Sequence, residues 1–212
     1  MAETENKTGT DLTVLKNIEK QFNKITEGKI KRYSEEAMKW FSRYIPRSYN
    51  NVKTSTMFRD RKLWTNKIKI GKMYFFEYDA LHKDTLPLWD RYPVIFPFNT
   101  YKKNGVSYMT AINLHYLPPA IRLKVMIELL KLRNEKRYRE STRLQLTWKV
   151  LERLAGGVLG EQCVHSYRYD QMVSTFIEIP SQSWSIAVFL PLQRWVINKK
   201  KGGKKPWGSR AK

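Results

Sequence analysis

Between Met73 and Leu114 three apolar runs of strand length lie close together, with segments of helical spacing on either side. The first, Met73-Tyr74-Phe75-Phe76-Glu77-Tyr78, follows Gly71 and is rich in aromatic residues that favour strands. The second is Tyr92-Pro93-Val94-Ile95-Phe96-Pro97-Phe98. Its prolines predict an edge position, because proline has no N–H to give to a sheet ladder. The turn pair Asn104-Gly105 leads into the third run, Val106 to Leu114. Phe176-Ile177-Glu178-Ile179 predicts a short strand returning to the same sheet. Such an order implies an α+β fold: a small antiparallel sheet or an SH3-like barrel flanked by helices.

The helical segments are read from their spacing. Leu12, Leu15, Ile18, Phe22 and Ile25 recur at three- and four-residue intervals, Thr10 or Asp11 suits the cap, and Gly28 suits the stop. This stripe is narrow, which fits docking on another chain; packing on the chain's own core is the open alternative. Ser34 predicts the cap of a second helix carrying Glu35 and Glu36 in its first turn and Trp40, Phe41 and Tyr44 inside, ended by Pro46. Residues 50–67, polar and without period, predict a linker or surface loop, and Asp79 to Trp89 a loop punctuated by Pro87. Pro118-Pro119 opens a helix through Ile121, Val125 and Leu129 to about Leu132. A further helix is expected from about Ser141 to Ala155, with Leu144, Trp148, Val150, Leu151 and Leu154 inward and Gly156-Gly157 as its stop. Three regions follow: an N-terminal helical arm (1–50), an aromatic-rich core (51–196) and a basic flexible tail (197–212).

Charge narrows the class of partner. Forty Lys and Arg against nineteen Asp and Glu give a net charge of +21. Residues 1–30 contribute none of it, with five acids and five bases. The excess gathers in residues 53–72, in residues 119–153, and in the stretch from Arg194 to Lys212, which holds eight basic residues and no acid. Lys199, Lys200, Lys201, Lys204, Lys205 and Arg210 in the tail, and Arg133, Lys136, Arg137 and Arg139 in the second cluster, are the candidate nucleic-acid-binding residues. Lysines on phosphates release condensed counterions, so such clusters bind nucleic acid without reading its sequence. In the tail, glycine, proline and like-charge repulsion predict an extended, mobile arm, and Trp207 offers a stacking surface. No run approaches the roughly 18 apolar residues of a membrane span. The polar N-terminus is unlike a secretory signal, and the lone Cys163 fits a reducing compartment.

Signs of catalysis are sparse. His82, His115 and His165 stand in no metal-ligand spacing, and no phosphate-cradling glycine motif occurs. A structural role is expected for His115. Cys163 lacks an identifiable base and orienting group. Glu77, Asp79, Asp84 and Asp90 form the best acidic set, able in principle to hold Mg²⁺ for phosphodiester cleavage. Turn formation and ion pairing, such as Asp90 with Arg91, explain them more economically. The expectation is therefore a non-enzyme without cofactor or metal.

Four blocks carry a family resemblance: Gly71-Lys72-Met73-Tyr74-Phe75-Phe76-Glu77-Tyr78-Asp79; Lys83-Asp84-Thr85-Leu86-Pro87-Leu88-Trp89-Asp90-Arg91-Tyr92-Pro93; Asn113-Leu114-His115-Tyr116-Leu117-Pro118-Pro119; and Trp184-Ser185-Ile186-Ala187-Val188-Phe189-Leu190-Pro191. Over residues 57–195 the chain resembles the DNA end protector-like proteins of T-even-like tailed phages (myoviruses). The resemblance implies a virion protein made in the host cytoplasm and acting on double-stranded DNA at the genome end near the head–tail connector, where it blocks exonucleases. It brings no catalytic residues. The alternative is a structural adaptor of the neck, tail or baseplate that meets other virion proteins through the N-terminal helix.

Overall fold

The computed structural model describes residues 7–27, 35–48, 59–134, 160–184 and 194–204, with further positions at 137, 139, 142, 145–147, 149–150 and 153. Eight strands form among them: β1 (Trp64–Thr65), β2 (Met73–Phe75), β3 (Leu88–Asp90), β4 (Val94–Lys103), β5 (Val106–Asn113), β6 (Val164–Arg168), β7 (Phe176–Ile179) and β8 (Trp195–Ile197). Six make one antiparallel sheet in the order β1-β7-β2-β4-β5-β6, while β3 and β8 pair as a separate ribbon. The sheet is open, with β1 and β6 at its edges, so of the two expected forms the antiparallel sheet is present and no closed barrel forms among the described residues.

The pleat explains how one sheet serves two cores. Successive side chains point to opposite faces, and here both faces are apolar. Met73, Phe75, Val94, Phe96, Ile112, Ile177 and Ile179 join the cluster beneath the helices. Tyr74, Phe76, Ile95, Met109, Ala111, Tyr167 and Phe176 form a second cluster on the other side, closed by Tyr78, Ala80 and Trp89. Each fully buried side chain of this size contributes about 1.5–3 kcal/mol relative to exposure.

Three longer helices cover the first face: α1 (Lys7–Thr26), α2 (Glu35–Ser48) and α3 (Pro119–Asn134). Leu15, Ile18 and Phe22 are buried in the same cluster as Leu123, Val125, Met126, Leu129 and Leu130. Phe22 sits 5.3 Å from Trp40 and 5.0 Å from Phe41 between ring centroids. The N-terminal helix therefore packs on its own chain rather than standing off as an arm. Of the expected stripe, Ile25 is exposed. Helix α2 runs two residues past Pro46, to Ser48, instead of stopping there.

The proline-bearing strand is interior, not an edge. β4 pairs with β2 only through Val94 and Ile95, so Pro97 lies past the end of that ladder. On the β5 side the register shifts between Pro97 and Asn99. Short β2 removes the conflict that proline would otherwise create. Asn104 (φ 51°) and Gly105 (φ 75°) close the β4–β5 hairpin with two left-handed residues, as the turn pair predicts. Trp64 and Thr65, expected in a loop, pair with β7 as an edge strand. Of the helix expected over 141–155, Thr147 is buried and Val150 packs on the core; Ser141, Leu144, Trp148, Leu151 and Leu154 lie outside the described residues.

Candidate nucleic-acid interface

The tail lysines begin where β8 ends. Lys199–Lys201 form a single 3-10 turn closed by Gly202 in the left-handed conformation (φ 70°). The Asn198 N–H donates to the Pro87 carbonyl at 2.9 Å and its Nδ2 donates to the Asp84 carbonyl at 3.1 Å. Gly203 fits tightly: a Cβ there would lie 1.8 Å from the Pro87 oxygen. Residues 194–204 are thus fastened to β3 and the loop before it, so this part of the tail is not the extended arm expected; residues 205–212 lie outside the described residues. Glycine permits this close backbone approach, which outweighs repulsion between lysines directed to solvent. Lys199, Lys200, Lys201 and Lys204 are exposed, and none pairs with an acid among the described residues. Lys205, Arg210 and Trp207 lie outside those residues.

The second candidate cluster belongs to the other layer. Arg133 is in the last turn of α3, while Arg137 and Arg139 are exposed beyond it; Lys136 lies outside the described residues. Not all of the charge in this region is available. Arg122 is buried, its Nε–H donating to the Leu117 carbonyl at 2.6 Å and its NH2 group to the His115 carbonyl at 3.0 Å. Burial pulls its pKa down to about 9, leaving it a cation at neutral pH. Lys131 is taken by Glu128 at 2.7 Å.

Glu77, Asp79 and Asp90 of the acidic set stand in separate structural pairings, and Asp84 is exposed. Glu77 accepts two bonds from Arg91, and Asp79 holds Lys83 at 2.7 Å. Asp90, expected beside Arg91, is instead buried under a polar network. Its Oδ2 accepts from His115 Nδ1–H at 2.7 Å and Asn113 Nδ2–H at 3.0 Å, and its Oδ1 accepts from the Tyr92 amide at 3.2 Å. Asn113 also donates to the Tyr167 hydroxyl at 3.1 Å. Burial lowers the pKa of His115, against the opposing pull of Asp90, so the ring is neutral at pH 7 and serves structure, as expected. Burial pushes the Cys163 thiol up to about 12, so it holds its proton at neutral pH. Among the described residues no three His, Cys, Asp or Glu side chains gather in a metal-binding group, and no helix is long and apolar enough to cross a membrane.

Two features escaped sequence reasoning. At the β4–β5 hairpin Tyr101 stacks on Tyr108 (centroids 5.1 Å apart, planes 7° from parallel), beside exposed Lys102 and Lys103. Their alternation around Asn104-Gly105 is the signal that places them together. Behind this pair opens a cavity of about 490 Å³ lined by Tyr78, Trp89, Tyr108, Tyr116, His165 and Tyr167, with His82, Pro87, Ser166 and Arg168 also in its wall. Arg168 lies over the Tyr108 ring at 5.8 Å and is forked onto Asp170. Segments far apart in the chain build this cavity, so no local motif announces it.

A family model described as the phage T4 terminal DNA protecting protein matches residues 1–209. No curated protein and no solved structure matches the chain.

Proposed function

This chain belongs to the phage T4 terminal DNA protecting protein family, and on that premise we propose that it binds the ends of double-stranded phage DNA without sequence specificity and shields them from exonucleases. The observation that carries the proposal is the lysine turn at 199–201: three exposed cations in one turn, fastened to a folded ribbon and unopposed by acids among the described residues. A fixed cluster of this kind meets backbone phosphates at less entropic cost than a free arm. Phosphate contacts position a protein on DNA without reading bases, which suits a protein that must accept whatever sequence lies at the end. Arg137 and Arg139, exposed beyond α3, belong with Arg133 and Lys136 to one basic stretch of sequence that supplies further phosphate contacts. The chain acts as a binder rather than an enzyme, as part of the virion near the head–tail connector.

Binding titrations on duplexes of unrelated sequence, across a salt series, test this reading. Affinity should be alike for all sequences and fall steeply with salt. Replacing Lys199, Lys200 and Lys201 together by Ser should flatten the log–log slope by about 0.9 for each phosphate no longer neutralised. A salt-independent affinity, or an unchanged slope in the triple variant, refutes the role of this turn.

A further inference from the structure

We propose that the aromatic cavity beside the lysine turn receives the terminal base of a DNA strand, leaving its phosphates outside. The inference rests on the DNA-end reading above and deepens it by saying what distinguishes an end from the middle of a duplex.

Size comes first: about 490 Å³ falls inside the roughly 300–1,000 Å³ of ordinary ligand sites, enough for one base but not a base pair with its backbone. Chemistry comes second. Tyr108, Tyr116 and Trp89 line it with aromatic rings, the sequence-tolerant means by which proteins hold unpaired bases. Trp89 is nine-tenths buried, and its Nε1–H has no acceptor among the described residues. That donor is closed to solvent, so a small turn of the ring would be needed to bring it to an acceptor, and every base carries ring nitrogen or carbonyl acceptors.

Charge fixes the orientation. The buried Asp90 carboxylate contributes to the cavity wall, so an anionic phosphate is disfavoured inside. Arg168 in the wall is forked onto Asp170, and the lysines stand outside the cavity. Pro87 lines the cavity and also accepts the Asn198 amide that anchors Lys199–Lys201. Tyr108 lines it too and stacks on Tyr101, next to Lys102 and Lys103. A base inside and phosphates against these lysines is the arrangement that satisfies both signs. Only a frayed or overhanging terminus can deliver a base at little cost, since an internal one must first be unpaired and unstacked.

The full-length protein can be titrated with two duplexes of equal length and sequence, one with free ends and one with both ends closed by hairpin loops. A fluorescent adenine analogue at the terminal position of the free duplex reports its surroundings. The expected result is about tenfold tighter binding of the free-ended duplex, the size one stacked base supplies, with a change in analogue emission. Trp89→Phe removes the donor and keeps the ring. Ser166→Trp plugs the cavity from an exposed position on β6, so it tests the idea even where Trp89→Phe unfolds. Either folded variant should bring the ratio toward one and leave affinity for the closed duplex unchanged. Equal affinity of the unaltered protein for both duplexes overturns the cavity's role while the phosphate reading stands. Loss of binding to both duplexes defeats both readings. Full end preference in Ser166→Trp also overturns the proposal.

Discussion

Asp90 shows how much of this protein rests on single buried polar groups. Three donors converge on its carboxylate, from His115, Asn113 and the Tyr92 amide. Truncation in Asp90→Ala removes the acceptor of two buried side-chain N–H bonds, at about 1–3 kcal/mol each. Urea unfolding should therefore show a loss of about 2–6 kcal/mol, with Asp90→Asn intermediate. His115 adds a pH dependence. Its folded pKa lies below the ordinary 6.5, so as pH falls the unfolded chain takes the proton first. Burial lowers His165 in the same direction. Stability should be at its plateau above about 6.5 and decline as pH drops toward the lowered values, read as a falling urea midpoint between neutral and mildly acidic buffers.

At the scale of elements, α1 and the β3–β8 ribbon decide what the termini do. Phe22 is 3% exposed and touches the rings of α2. Phe22→Ala should cost about 3–5 kcal/mol, measurable as a drop in melting temperature. Deleting residues 1–28 therefore uncovers α3 and does not isolate a docking function; Ile25→Ser, at a position 57% exposed, is the cleaner probe of contact with other virion proteins. In the ribbon, Gly203→Ala drives a methyl group into the Pro87 carbonyl. The lysine turn should detach, seen as faster amide exchange at Asn198, with a stability loss of about 1–3 kcal/mol. The central strands, the Asn104-Gly105 turn and the helix after Pro118 were legible because each is written in local pattern. The interior position of β4 was not, since it depends on how short β2 is. Nor was the docking of residues 194–204, which depends on Gly203 meeting Pro87, more than a hundred residues away. The cavity was beyond reach for the same reason: Trp89, Tyr108 and His165 share no local spacing.

For the whole molecule, the net charge of +21 is spread unequally over a two-sided scaffold. Helices seal one face of the sheet and carry the cluster after α3, while the aromatic face carries the cavity and the lysine turn. Part of the excess is structural, as buried Arg122 of α3 shows, so the interface is smaller than composition suggests. On the proposed reading, this scaffold caps a DNA end. The direct measurement is exonuclease digestion of a linear duplex at saturating protein, followed over time at low and high salt. Digestion from both ends should be blocked at low salt. Protection should be relieved by added salt and weakened in the variant with Lys199, Lys200 and Lys201 replaced by Ser. Digestion at the rate of naked DNA, with the protein saturating and folded, contradicts it.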